Sequence, residues 1–135
     1  MAKIVWHGPA VYAEIATKSD KLINAAALEV RTEAQNSMRP PKSGRIYKVP
    51  NFAQTYQASA PGEAPAIRTT DLQSSIMTEY VGKLHQRVGS NLEYARRLEL
   101  GDRAPDKHGV FIAARPYLRP ALEKVIAKYK GKVNL

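Results

Sequence analysis

The first third of the chain carries apolar side chains at helical spacing. Ala16, Ile23, Ala27, Val30 and Ala34 follow one another at steps of seven, four, three and four, which places them on one face. Ile15, Leu22 and Ala26 widen the stripe, while Lys18, Lys21 and Arg31 fall largely off it. Gly8-Pro9 suits a helix start, because proline has no N–H to lose in a first turn. Arg39-Pro40-Pro41 is a stop, since proline cannot continue the ladder and pushes the residue before it toward extended backbone. The pattern predicts a core-facing helix over 9–36, with Ser19-Asp20 suited to cap a second segment if the helix breaks there.

From Lys42 to Ile67 the composition turns to Gly, Pro, Ser, Ala, Gln and Tyr. Ser43-Gly44 signals a turn and Arg45-Ile46-Tyr47-Lys48-Val49 alternates like a short strand. The remainder, through Ala58-Ser59-Ala60-Pro61-Gly62-Glu63-Ala64-Pro65, has no period. Connections beyond about 12–15 residues are uncommon in compact domains unless they are functional or disordered. Residues 38–67 are therefore read as an extended arm. Two readings stay open: a flexible surface loop, or a segment that orders on a neighbouring subunit and buries Tyr47 and Tyr56.

Downstream the elements shorten. Thr69 or Thr70 is placed to cap a helical turn over Asp71–Ser75. Ile76–Val81 and Leu84–Gly89 alternate around a turn at Val81-Gly82-Lys83 and predict an antiparallel hairpin. Asn91 would cap a helix over Leu92–Leu100 closed by Gly101, with Tyr94, Ala95 and Leu98 inward. Val110-Phe111-Ile112-Ala113 is an apolar run of strand length. The last helix is expected over Pro120–Lys130, with Leu122, Val125, Ile126 and Tyr129 on one side, lysines at its end and Gly131 as cap. Between them, Ala114-Arg115-Pro116-Tyr117-Leu118-Arg119-Pro120 makes a strand-to-helix corner. The expected architecture is α+β in a single domain, 1–135. A small, mainly antiparallel sheet is packed by a long N-terminal helix and a C-terminal helix, with the arm inserted and residues 68–130 supplying sheet and helices.

Composition narrows the function classes. The chain has 135 residues and no cysteine, which excludes disulfides, thiolate metal sites and cysteine nucleophiles. That fits folding in a reducing cytoplasm. His7, Gly8 and Pro9 interrupt the N-terminal apolar stretch, so it does not read as a signal peptide, and no run approaches membrane-spanning length. The expectation is a soluble protein without a membrane partner. A net charge of +9 invites a nucleic-acid reading, yet the cations are spread along the chain. The one biased stretch, Asn36–Gly62, holds Arg39, Lys42, Arg45 and Lys48 before any acid.

A search for chemistry comes back empty. His7, His85 and His108 stand alone, without the spacing of a metal site. Asp102 and Asp106 flank a charged turn of the kind that faces solvent. No serine sits in a nucleophile elbow, and Gly89-Ser90-Asn91 lacks the spacing and lysine of a phosphate loop. No catalytic, cofactor-binding or metal-ligating residue is expected.

The motifs, taken in order, resemble a phage family: the tail-component or neck proteins of long-tailed bacteriophages, HK-ninety-seven gene-product-ten-like. The resemblance runs through Ser43–Tyr47 and Ala58–Ala66, then Arg68-Thr69-Thr70-Asp71-Leu72-Gln73-Ser74-Ser75-Ile76. It continues in Val88-Gly89-Ser90-Asn91-Leu92-Glu93-Tyr94-Ala95, Glu99-Leu100-Gly101 and Ala114–Leu122. It covers about Ser43 to Lys124. Thr70 departs from it, standing where the family usually has glycine. The resemblance implies a non-enzymatic structural protein of the virion, at the head–tail junction and assembled in the host bacterial cytoplasm. It implies a ring of six copies or a multiple, in contact with neighbouring connector and tail proteins. Arg45, Tyr47, Tyr56, Arg115 and Arg119 are the candidate interface residues. The alternative is a small basic nucleic-acid-binding module, and non-specific DNA contact is compatible with either.

Overall fold

The structure is a computed structural model that describes residues 8–130. The N-terminal segment through His7, and the expected Gly131 cap with Lys132, lie outside the described residues. The elements in order are α1 (Gly8–Ser37), β1 (Ile46–Lys48), β2 (Thr55–Gln57), α2 (Asp71–Ser75), β3 (Met77–Gly82), β4 (His85–Gly89), α3 (Ala95–Leu100) and α4 (Leu118–Lys130). The fold is α+β, with a long N-terminal helix against a C-terminal one.

α1 runs unbroken through Ser19-Asp20. Asp20 caps nothing; its carboxylate accepts the N–H of Leu84 at 2.9 Å, in the turn of the β3–β4 hairpin. Further along, Asn24 meets the side-chain amide of Gln86. On another side α4 lies antiparallel to α1. Lys124 reaches Glu33 at 2.9 Å and Lys128 reaches Glu29 at 2.7 Å, and Tyr129 Oη donates to the same Glu29. These exposed pairs fix register more than they stabilise, since each contributes at most about 1 kcal/mol.

The core forms where these elements meet. Val30, Ala34 and Met38 of α1 and its C-terminal turn pack with Leu72, Ile76, Ala95, Tyr117, Ala121 and Val125. Gln35 and Gln73 exchange side-chain amide donors for backbone carbonyls at 3.0 Å in both directions, which locks α1 to α2. Tyr117 is buried and its hydroxyl donates to the Ala95 carbonyl at 3.2 Å. Burial, and secondarily the charge of Glu99, pushes its pKa up to about 12. The predicted stripe is thus core-facing only in the second half of α1. Ile15 and Leu22 stay exposed.

The strands form two separate hairpins and not one sheet. β3 pairs antiparallel with β4, Thr78 opposite Val88, and β1 with β2, Tyr47 opposite Tyr56. The second hairpin takes β1 from the strand predicted over Arg45–Val49 and β2 from the stretch read as aperiodic. Its turn is type II: Phe52 N–H donates to Val49 C=O at 3.2 Å, with Pro50 and Asn51 central and Asn51 at φ +64°.

The strand expected over Val110–Ala113 is absent. Val110 and Phe111 are 49% and 55% exposed, and the backbone donors that a ladder would use go to carboxylates. Asp102 accepts the N–H of Ile112, and Asp106 accepts those of His108 and Val110. The remaining boundaries move little. α3 begins at Ala95, later than predicted, and Ser90 Oγ rather than Asn91 accepts the Leu92 N–H at 3.1 Å. α4 begins at Leu118, before Pro120. Thr70 precedes α2 without a side-chain cap bond.

Candidate functional site

The corner before α4 is where distant segments converge. The first N–H groups of a helix have no partner within it and carry its positive dipole end. For α4 a single carboxylate supplies them. Glu99 accepts the N–H of Tyr117 at 2.7 Å, of Leu118 at 2.9 Å and of Arg119 at 2.8 Å. Two residues on, Gly101 closes α3 at φ +71°, its N–H on Arg97 C=O. A Cβ there would lie 2.7 Å from the Ala114 nitrogen, so the chain returning to α4 passes where a side chain would be. Arg115 N–H then donates to Leu98 C=O at 2.6 Å.

The same corner anchors the arm. Gly62 N–H donates to Ala114 C=O at 2.9 Å. The Arg115 guanidinium donates to the carbonyls of Ser59 at 3.2 Å and Ala113 at 3.1 Å. Glu63 ties the two ends of the arm together: it accepts the Ser43 N–H at 3.1 Å, the Ala60 N–H at 2.9 Å and the Ser43 hydroxyl. These bonds, the Ser43 hydroxyl foremost, bring its carboxyl pKa down to about 2. Gly44 crosses so close to Ala58 that a Cβ would sit 2.5 Å from the Ala58 oxygen. Lys42 closes the other side, donating to Ser37 C=O at the end of α1.

From this root the β1–β2 hairpin stands out with two tyrosines paired. The rings of Tyr47 and Tyr56 stack with centroids 5.5 Å apart and planes 20° from parallel. Arg45 lies over Tyr47 at 5.2 Å and Arg68 over Tyr56 at 4.9 Å, distances suited to cation–π attraction. Ile46 and Phe52, on the same hairpin, are 62% and 65% exposed. Beneath it a cavity of about 710 Å³ is lined by Tyr47, Tyr56, Arg68, Tyr94, Leu98, Ile112 and Arg115 among others, with no carboxylate.

A second concavity, about 490 Å³, opens elsewhere between α1, β4 and α4. Ile23, Ala26 and Val30 wall it from α1, Val88 from β4, and Leu122 and Ile126 from α4; Gln86, Glu99 and Arg119 are its polar lining.

The five predicted interface residues divide between these places. Arg45, Tyr47 and Tyr56 meet in one stack, and Arg115 lines the cavity below them while bonded to the arm's root. Arg119 does not join them; it lines the apolar groove and lies 3.8 Å from Glu123. Sequence reasoning missed Arg68, Glu63 and Glu99. Glu63 and Glu99 act on backbone from far along the chain or across the loop, which no local pattern displays. Thr70 is not strained at the position where glycine was expected: its φ is −80°.

Asp102 is held by Arg97, whose guanidinium grips both oxygens at 3.0 and 2.6 Å. That contact, then the Ile112 N–H, lowers its pKa. Among the described residues no group of three or more His, Asp or Glu side chains is placed to hold a metal ion. No described helix is long and apolar enough to cross a membrane. Comparison with known proteins finds no matching family model, no matching curated protein and no matching solved structure.

Proposed function

We propose that the chain is a non-enzymatic structural subunit of a tailed-bacteriophage virion, and that it forms a ring at the head–tail junction as a neck or tail-completion component. The observation that carries this reading is the arm and its root. Segments that resemble the phage family lie far apart in sequence, and they meet at one corner: Ser43-Gly44, Ser59–Glu63, Glu99–Gly101 and Ala114–Arg119. What that corner holds out is a two-stranded hairpin with exposed Ile46, Tyr47 and Phe52. An isolated hairpin of three-residue strands is marginal in water. A bonded root that presents such a hairpin suits a segment completed by a neighbour in an assembly.

The second reading, a basic nucleic-acid module, draws on the exposed Arg45 and Lys48 of the arm. The tyrosines weigh against it. A base-stacking platform needs free ring faces, whereas Tyr47 and Tyr56 stack on one another and each already has a guanidinium over it.

Light scattering on the eluting chain, with negative-stain imaging, tests the leading reading. A closed ring of six copies or a multiple is the expected result. A strictly monomeric chain that also fails to join rings of connector proteins contradicts it. Tight DNA binding with a steep salt dependence, in place of assembly, favours the second reading.

A further inference from the structure

Among the described residues two apolar surfaces are exposed, one on α1 and one a groove. One is convex. Val11, Ile15 and Leu22 on α1 are 51%, 57% and 52% exposed. Their spacing of four and then seven residues sets them within an arc of about 40° on the helix, at about 100° per residue. The other is concave: the groove of about 490 Å³ between α1, β4 and α4, whose lip residues Leu122 and Ile126 are also exposed.

The convex stripe cannot fill this groove in its own chain. Ile15 stands on the same unbroken helix as Ile23, which walls the groove, eight residues and about 12 Å upstream. The helix that fits is present in every other copy.

We propose that the groove receives the N-terminal half of α1 from a second copy of this chain. Val11 and Ile15 insert between Ile23 and Ala26 on one side and Leu122 and Ile126 on the other. This is helix-in-groove recognition, with anchors one turn apart. A reciprocal exchange of stripe and groove would stop at a two-fold dimer; in the ring reading each copy instead engages one neighbour through its stripe and another through its groove. Such head-to-tail contacts close into a ring when the rotation between copies allows. The inference rests on the ring reading and names the surfaces that join its subunits.

The natural chain has no cysteine, which makes cross-linking clean. Ile15→Cys and Ile126→Cys are prepared singly and together in the full chain, with Lys107→Cys as a surface control, and treated with a short bis-maleimide. The proposal predicts that the mixed single variants join into a covalent dimer that neither gives alone, and that the double variant gives a ladder of three or more copies. Ile15→Glu should shift the assembly to monomer with an unchanged melting temperature, because Ile15 is exposed in the monomer. A double variant that stops at covalent dimers, or Ile15→Cys linking only to itself, overturns the proposal. Rings that form without the mixed cross-link overturn this contact and leave the ring reading standing. A natural chain that stays monomeric in light scattering removes both.

Discussion

The two halves of α1 are built from similar residues and meet different surroundings. From Ala26 to Met38 every turn has a partner: Glu29 and Glu33 meet α4, Gln35 meets α2, and Val30 and Ala34 enter the core. From Ala10 to Lys18 the bonds shown are internal to the helix, Lys18 to Glu14 at 2.8 Å and Thr17 Oγ to Ala13 C=O at 2.9 Å. Both halves carry an apolar stripe. The difference shows what such a stripe states: a face is to be covered, without saying whether the same chain covers it.

The contrast is sharpest in the response to truncation. Ile76 and Val125 are buried in the core, so Ile76→Ala should lower the unfolding free energy by about 2–5 kcal/mol through lost burial and the cavity left behind. Ile15→Ala, under dilute conditions where the chain is monomeric, should change it by no more than about 0.5 kcal/mol. Denaturant titrations of both variants check this. Equal losses would erase the distinction between the two halves.

The root separates from the arm in the same way. Glu99→Ala removes the shared acceptor for three N–H groups at the start of α4 and should cost about 2 kcal/mol, at the upper end for a helix cap. Gly101→Ala, forced toward the Ala114 backbone at positive φ, should cost about 1–3 kcal/mol. Arg45→Ala removes a cation over an exposed ring and should change stability by about 1 kcal/mol or less. Thermal melts rank the three. An Arg45→Ala loss as large as that of Glu99→Ala would place the arm inside the cooperative core.

Titration should loosen the two regions at opposite ends of the pH scale. The Glu63 carboxyl is held at about 2, below its ordinary value of about 4.3, so its contribution to the arm's root is complete above that value. It fades as pH falls from about 4 to about 2. The Tyr117 hydroxyl is held at about 12, above its ordinary value of about 10, so its contribution is complete below pH 10. It fades as pH rises from about 10 to about 12. Ring resonances of Tyr47 and Tyr56 should therefore shift in acid before the core melts, while the melting temperature falls in alkali. Acid melting of the core before those rings move would reverse the assignment.

Much of the fold was legible because its signals are local. Arg39-Pro40-Pro41 ended α1 near the predicted place, Val81-Gly82-Lys83 marked the β3–β4 turn to within two residues, and Gly101 closed α3. In the arm the strand over Arg45–Val49 was legible, but its partner β2 was hidden although the turn signal was present: Pro50-Asn51 is the residue pair that a type II turn favours. Val110–Ala113 misled because an apolar run reads as a buried strand, and only the folded loop shows Asp102 and Asp106 taking its N–H groups. The candidate site was half legible. Tyr47, Tyr56 and Arg115 could be named from the sequence. That Arg115 holds the arm's root, and that Glu99 caps a helix that starts nearly twenty residues later, follows only from the return of the chain upon itself.

Hydrogen exchange along α1, measured at two protein concentrations, tests the central claim most directly. In dilute monomer, amides from about Val11 to Lys18 should exchange quickly while those from Ala26 to Ser37 stay protected. At a concentration that assembles the chain, the first group should become protected and the second should remain so. Fast exchange of the first half at every concentration, in a sample shown to be assembled, would contradict an N-terminal helix covered by a neighbouring copy.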